Sequence, residues 1–313
     1  MADFVIIPDT ASDFTKELRD RFQIPDYIKG TIYLPDGTEA IADLDWELMD
    51  PTTYYNSMSG RKALYKTAGS RQGDIYEIYR KYLSAGKDIL TICLSSALSG
   101  TYQVYLKISQ ELMAEYPGRK IVIVDSLRYS SALSLLVIKA CQKQQEGASL
   151  EETAAYLNEV KYTIHQMGAM DDMFFLVKTG RVSNFKAFFG TLVGINAMAD
   201  FNRQGLSQVV GKIKGKKRVI DAIIEYMRHT IQNPQDQIIF VAHSNREQAA
   251  ELLAQRIREE FSPKEVIINP VGLSCGASIG PGLCAAFYEG VEISEDYSRE
   301  QELMKNIIAE QKN

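Results

Sequence analysis

The stretch DILTICLSSALSGTYQVYLKISQELMAEY (residues 88–116) decides the fold class. Its first part, Asp88–Leu94, is a short apolar run that predicts a buried strand. From Thr101 to Tyr116 the apolar residues recur at helical spacing, which predicts a helix. The loop between them, Ser95–Thr101, contains four hydroxyl side chains and one glycine. A buried strand followed directly by a helix is the repeating unit of a parallel sheet covered by helices.

The same alternation of strands and helices continues through the first half of the chain. The predicted strands are Phe4–Ile7, Gly30–Leu34, Asp88–Leu94 and Lys120–Val124. The predicted helices are Phe14–Arg21, Asp74–Leu83, Thr101–Tyr116, Ser130–Gln145 and Leu150–Val160. We therefore expect an N-terminal α/β domain, residues 1–163, with a mostly parallel sheet and helices on both faces.

The second half has a different spacing of elements. The predicted strands are Ile164–Met170, Leu206–Ile213, Gln237–Ala242 and Glu265–Val271, and the predicted helices are Lys217–His229, Asn245–Phe261 and Ser294–Glu310. We expect a second α/β domain, residues 164–313, with a mixed sheet. A boundary near Lys161–Ile164 has no Pro/Gly/Ser-rich linker, which indicates closely packed halves.

Composition and charge exclude several function classes. The chain has 313 residues, 45% of them hydrophobic, and a net charge of −5, so no global nucleic-acid footprint is expected. One basic run, Lys212–Arg218, is predicted to be a solvated loop and helix start or a binding patch. No pair of the four cysteines has C-x-x-C spacing, no secretory signal is visible and no apolar run approaches a membrane span. We expect a cytoplasmic protein without a metal or other cofactor.

The loop Ser95–Thr101 is the strongest candidate for ligand chemistry. Ligands of open parallel sheets bind beyond the C-terminal strand ends, where this loop lies. Hydroxyl residues at helix starts are often N-caps, but this loop has more of them than a cap requires. Hydroxyls and backbone N–H groups at a positive helix end suit an anion. Since the loop has neither Arg nor Lys, a carboxylate is favoured over a polyphosphate.

A second polar stretch, VGLSCGASIGPGLCA, spans Val271–Ala285. Gly280-Pro281-Gly282 is predicted to open a helix, with Pro281 at its first position. Residues 276–280 also match G-x-S-x-G, the hydrolase nucleophile motif. A hydrolase of that type needs a histidine after the serine, whereas all three histidines precede Ser278.

Two stretches carry a resemblance to a known family. LSSALSGTYQ at Leu94–Gln103 resembles the signature loop of the DegV family, and LVKTGRVS at Leu176–Ser183 resembles its L-x-K-x-G-R-[I/V]-S motif. Supporting matches spread over residues 1–290 are Asp9, Lys66-Thr67, Val124-Asp125-Ser126, Ala242-His243-Ser244 and Gly280-Pro281-Gly282.

The resemblance implies a two-domain, non-enzymatic protein that binds one long-chain fatty acid. It implies that hydroxyls at Thr67, Ser95 and Ser96 hold the carboxylate in the N-terminal domain, while the C-terminal domain encloses the acyl tail. It further implies a partner, the catalytic subunit of a fatty acid kinase. Lys178 and Arg181 of the second motif are the predicted partner contacts, and the alternative is that Arg181 braces the loop after Gly180.

The sequence departs from the family pattern at several positions. Ser278 stands where many members have a histidine two residues before G-P-G, and we expect it near the headgroup as a weaker donor. The apolar residues predicted to line the tail tunnel are Phe188, Phe189, Leu192 and Val193, which could also be ordinary core. Two other functions stay open: a phosphotransferase or hydrolase acting on a small anionic substrate, and a fatty-acid sensor without a kinase.

Overall fold

The computed structural model describes residues 4–183 and 194–311. The chain divides into two compact units. The first unit comprises Met1–Asp50, Leu64–Lys161 and Gly272–Cys275, and the second comprises Pro51–Ala63, Tyr162–Val271 and Gly276–Asn313. The units differ from the continuous ranges 1–163 and 164–313 by two short exchanged segments, and those ranges stay a prediction of domain extents.

The described strands are β1 (Phe4–Pro8), β2 (Gly30–Tyr33), β3 (Glu39–Ala42), β4 (Lys66–Ala68), β5 (Asp88–Cys93), β6 (Ile121–Asp125), β7 (Ile164–Met170), β8 (Val182–Ser183), β9 (Ile195–Phe201), β10 (Ser207–Lys214), β11 (Ile238–His243), β12 (Glu265–Pro270) and β13 (Leu283–Glu289). The helices are α1 (Lys16–Phe22), α2 (Pro51–Met58), α3 (Gln72–Ser84), α4 (Thr101–Glu115), α5 (Ser131–Gln145), α6 (Leu150–Val160), α7 (Phe174–Thr179), α8 (Lys216–Thr230), α9 (Glu247–Phe261), α10 (Leu273–Ile279) and α11 (Ser298–Glu310).

A parallel sheet of order β1-β5-β6 forms the centre of the first unit. Successive side chains of a strand point to opposite faces, so both faces of a buried strand must be covered. In β5, Ile89 and Cys93 join the core beneath α3 and α4. Helices α5 and α6 pack against the sheet as well. The predicted α/β fold with helices on both faces of a parallel sheet is confirmed.

One predicted strand of the first unit belongs to a different sheet. Strand β2 pairs antiparallel with β3 and β4 and does not join the parallel sheet. The cause is local: Gly37, at φ +90°, lies in a turn in which the Asp36 carboxylate accepts the Thr38 N–H, so the chain folds straight back. A tight hairpin joins antiparallel neighbours, whereas parallel neighbours need a long crossover.

The second unit contains a mixed sheet, as predicted. Its described strands have the order β12-β11-β13-β7-β9-β10-β8, with parallel pairs at both ends and antiparallel pairs between. Helices α8, α9 and α11 contribute Tyr226, Leu253 and Met304 to the core on this sheet. Gly168 faces Ala285 so closely that an added Cβ would lie 2.4 Å from the alanine Cβ, so only glycine fits there.

The prediction that Gly280-Pro281-Gly282 opens a helix is wrong. Helix α10 ends at Ile279, and Gly280 follows in the left-handed region at φ +71°, with its N–H donating to Gly276 O at 2.7 Å. The next strand, β13, was not predicted from the sequence because its run of small residues has no strand periodicity. A glycine directly after a helix is favoured because the left-handed conformation there costs it least.

Candidate functional site

The three parallel strands of the first unit end in polar loops, as expected from the sequence. Strand β1 leads to Asp9, β5 to Ser95, and β6 ends at Asp125. Asp9 is buried and ties two of these loops together, because its carboxylate accepts the N–H groups of Ala11 and Leu94, each at 2.9 Å. The hydroxyl loop is therefore held in place at its start.

The hydroxyl loop, Ser95–Thr101, has a defined internal geometry. Ser95 is buried, its N–H donates to Arg128 O at 3.0 Å, and its Oγ accepts the Ala97 N–H at 3.3 Å. Ser96 is exposed, and its N–H donates to the Asp125 carboxylate at 3.1 Å. The Ser99 and Thr101 hydroxyls lie 2.6 Å apart. A hydroxyl group can donate and accept hydrogen bonds at the same time, and an anion requires donors.

Three helices begin beside this edge without a side-chain hydrogen bond from the N-cap residue. Their N-cap residues are Arg71 for α3, Gly100 for α4 and Ser130 for α5. Helices α1 and α6 do have such caps, from Thr15 and Ser149. The hydroxyls singled out from the sequence are therefore not explained as N-caps, although Ser99 Oγ accepts the Thr101 N–H at 3.3 Å.

Thr67 lies in the same unit on β4 and is half-buried. The residues that follow it contact the start of α4. An added Cβ at Gly69 would lie 3.0 Å from Thr101 Oγ1, and the hydroxyls of Ser70 and Tyr105 are 3.5 Å apart. The structure thus brings the segment after Thr67 against the end of the hydroxyl loop.

A second buried carboxyl group, that of Asp13, was not predicted from the sequence. Its side chain accepts hydrogen bonds from Ser130 Oγ and from the Gly272 N–H, the latter at 3.0 Å. Burial raises the pKa of Asp13 to about 7 and that of Asp9 to about 6, although the hydrogen bonds to each oppose this. Asp13 is the last residue of the polar stretch Asp9-Thr10-Ala11-Ser12-Asp13, of which only Asp9 was used, as a family match.

Two buried cations near β6 were also missed. Arg128 is fully buried and donates to Leu127 O at 2.7 Å. Lys161 donates to Asp125 O at 3.0 Å and to the Asn158 side chain at 2.9 Å, and burial lowers its pKa. A buried cation is costly unless it is paired or hydrogen-bonded, so both residues hold the β6 loop in one conformation.

In the second unit, Ser278 is half-buried on α10. The G-P-G turn that follows packs tightly: an added Cβ at Gly280 would lie 2.1 Å from the Phe175 ring, and one at Gly282 would lie 1.8 Å from the Asp171 carboxylate. These glycines are explained by close packing and positive φ. Ser278 as a headgroup donor stays a prediction.

Lys178 and Arg181 lie on and after α7 in the second unit. The Phe174 ring has the Arg61 guanidinium 4.3 Å from its centroid and the Lys178 ammonium at 5.5 Å. Arg181 is half-buried, and its guanidinium donates to Thr179 O. That contact agrees with the bracing alternative for Arg181, while the partner role of both residues stays a prediction.

The predicted tunnel residues Phe188, Phe189, Leu192 and Val193 lie outside the described residues. The second unit does contain an open groove of about 530 Å³ between the first turns of α8 and α9. Its wall includes apolar residues such as Ile220 and Leu252, and its floor includes Cys284. Within the described ranges, no cluster of residues suited to a metal is found, and none of the helices is long and apolar enough to span a membrane.

Comparison with known proteins agrees with the motifs. A family model described as "Uncharacterised protein, DegV family" matches residues 3–290. A DegV domain-containing protein of Clostridium perfringens is 33% identical over 290 residues, which are 93% of this chain and 98% of that protein.

Two solved structures extend the comparison to the fold. A DegV lipid-binding protein of Thermotoga maritima has a TM-score of 0.80 and 25% identity, covering 93% of this chain and 99% of that one. The fatty acid kinase B3 protein of Streptococcus pneumoniae, loaded with linoleic acid, has a TM-score of 0.76 and 22% identity, covering 92% and 99%. At that identity the second likeness shows the fold alone.

Proposed function

Because this chain belongs to the DegV family, we propose that it binds a long-chain fatty acid and is not itself an enzyme. The carboxylate is held at the hydroxyl loop of the first unit, and the tail is enclosed by residues 164–313. The observation that carries the proposal is this loop, whose hydroxyl groups lie beside the starts of α4 and α5, where the N-cap residues Gly100 and Ser130 make no side-chain cap bond. Oriented N–H and O–H groups stabilise a carboxylate without a cation.

Four hydroxyl residues bind the headgroup in this proposal: Thr67, Ser95, Ser96 and Ser278. Support comes from the burial of Ser95, from the two bonds that fix the Ser95 and Ser96 amides, and from the contact of the segment after Thr67 with α4. The relatives support the ligand class: one is a lipid-binding protein, and another was solved with linoleic acid.

Tail burial supplies most of the affinity. Each methylene removed from water contributes about 0.8 kcal/mol, so a long acyl chain needs only a dry apolar cavity. We place the tail site within 164–313 on the family resemblance, because the open groove of the second unit is lined by charged residues such as Lys217 and Glu247 as well as by apolar ones. The headgroup donors then need only supply enough hydrogen bonds that the buried carboxylate is not left unsatisfied.

We also propose that the bound lipid is presented to a separate kinase subunit, with Lys178 and Arg181 at the contact. The likeness to a fatty acid kinase B protein supports this partner. The proposed cytoplasmic location agrees with four buried, free cysteines.

The test begins with mass spectrometry of lipid extracted from the purified protein, where a copurifying fatty acid is expected. In calorimetric titrations, Thr67→Ala combined with Ser96→Ala should weaken fatty-acid binding by about 1–3 kcal/mol, because acceptors on the ligand lose their donors. The matched control is Thr38→Ala with Ser84→Ala, two exposed hydroxyl residues of the same unit. Equal affinity in both double variants would remove Thr67 and Ser96 from the site, and turnover of a small anionic substrate by a lipid-free protein would favour an enzyme instead.

A further inference from the structure

Asp13 joins three separate segments of the first unit through one buried carboxyl group. It follows the turn after β1, it accepts from Ser130 at the N-cap of α5, and it accepts from the Gly272 N–H at 3.0 Å just before α10. An added Cβ at Gly272 would lie 2.5 Å from Asp13 Oδ1. The approach of this backbone to the carboxyl group therefore requires a glycine.

The same junction is connected to the hydroxyl loop. The Ser130 N–H donates to Ala11 O at 2.7 Å, which fixes the β1 turn against the loop after β6. That loop in turn accepts the Ser95 N–H at Arg128 O, at 3.0 Å. Ser130, which donates to Asp13, is therefore only two residues along the chain from Arg128, whose main-chain O accepts the Ser95 N–H.

Acidic groups face Asp13 from the segments packed against it. Cys275 of the 272–275 segment and Tyr129 of the β6 loop interact with it electrostatically, and Asp9 of the β1 turn interacts with Cys275. All three are acids, so they are neutral or negative at every pH. Arg128 and Asp125 act electrostatically on the buried cation Lys161, which also donates to the main-chain O of Asp125 at 3.0 Å.

We infer that Asp13 couples binding of the fatty-acid carboxylate to the uptake of one proton, so that lipid affinity falls as pH rises. The inference rests on the proposed function. An ionised Asp13 and a ligand carboxylate repel each other more strongly in a buried site than in water. Burial raises the pKa of Asp13 to about 7, so a nearby second anion shifts its titration further within the neutral range. By thermodynamic reciprocity, if the ligand raises the proton affinity of Asp13, protonation of Asp13 raises the affinity for the ligand by the same factor.

The test measures palmitate affinity of the lipid-free protein by calorimetry at about pH 6 and pH 8. Wild-type affinity should fall by about tenfold over this range, since one linked proton changes affinity by up to tenfold per pH unit. Asp13→Asn should lose most of this fall, because an amide can accept from Gly272 and donate to Ser130 without titrating. Any fall that remains comes from Asp9 and from the ligand, which titrate in both proteins. The matched control Asp36→Asn, at an exposed turn, should keep the wild-type fall. Wild type and variants are compared at the same pH, so the ionisation of the ligand itself affects all of them equally.

Two further measurements test the proton coupling of Asp13 without the Asp13→Asn variant. Repeating the wild-type titration in buffers of different ionisation enthalpy gives the protons taken up per lipid near pH 7, independently of any variant. Ser130→Ala removes a donor that lowers the pKa of Asp13, so its fall in affinity should begin at higher pH. Lipid binding with no proton uptake, or an unchanged fall in Asp13→Asn, would overturn the inference and leave the proposed function intact. Absence of fatty-acid binding at either pH would refute the proposed function itself.

Discussion

The buried carboxyl group of Asp13 also predicts how stability depends on pH. Its pKa is about 7 in the folded protein, against an ordinary value of 3.8 for the unfolded chain. The folded state therefore binds the proton more tightly than the unfolded state does. The stability contributed by this proton is fully present below the unfolded pKa, declines as pH rises, and is lost above about pH 7. A shift of about three pH units corresponds to about 4 kcal/mol.

Urea unfolding of the lipid-free protein, followed by circular dichroism, measures this contribution. Bound lipid must be removed because a ligand of the folded state stabilises it by mass action. Asp13→Asn cannot ionise, so the free energy of unfolding of the variant relative to wild type should rise by about 4 kcal/mol between about pH 4 and pH 7.5. Asp9, with a pKa of about 6, contributes to both proteins alike and cancels in the difference.

A difference in the free energy of unfolding between wild type and Asp13→Asn that stays constant over this pH range would refute this prediction. A constant difference would mean that Asp13 has the same proton affinity in the folded and unfolded states. A difference that shrinks with rising pH would show an ionised carboxylate stabilised by its two donors, Ser130 and Gly272, instead of a protonated group disfavoured by burial.

Three other predictions follow from the second unit. Ser278→Ala should leave the pH dependence of lipid affinity between about pH 5 and 8 unchanged, because a hydroxyl does not titrate there; loss of that dependence in a fluorescence titration would contradict the assignment. Arg181→Glu should leave lipid binding intact and slow phosphorylation of the lipid by an added kinase subunit, more at low salt than at high, whereas loss of lipid binding or folding would favour the bracing role. His165→Leu should lower the free energy of unfolding by about 3–5 kcal/mol in a urea titration, because it breaks a fully buried pair with Asp200, 2.9 Å away; a loss below about 1 kcal/mol would show that the pair is not needed.

Local patterns were sufficient to predict most elements near the candidate site. Strand β5, the hydroxyl loop and α4 follow from a run of about thirty residues, because burial on alternate faces and helical spacing are both recorded in neighbouring positions. The motif at Leu176–Ser183 was likewise visible without a structure and is matched by the family model. The elements that were not predicted either lack a clear hydrophobic periodicity, such as α10 and β13, or are short, such as β3 and β4.

Sequence alone determined the α/β class, the family and the loop at which an anion is expected, since each depends on residues close together in the chain. Only the tertiary structure decided which polar groups meet: Asp13 is 117 residues from Ser130 and 259 from Gly272, yet both donate to it. The same holds for its protonation, because the pKa of a carboxyl group depends on burial by distant segments. Periodicity specifies which side of an element is buried, whereas the neighbours on that side are chosen by the pairing of elements far apart in the chain.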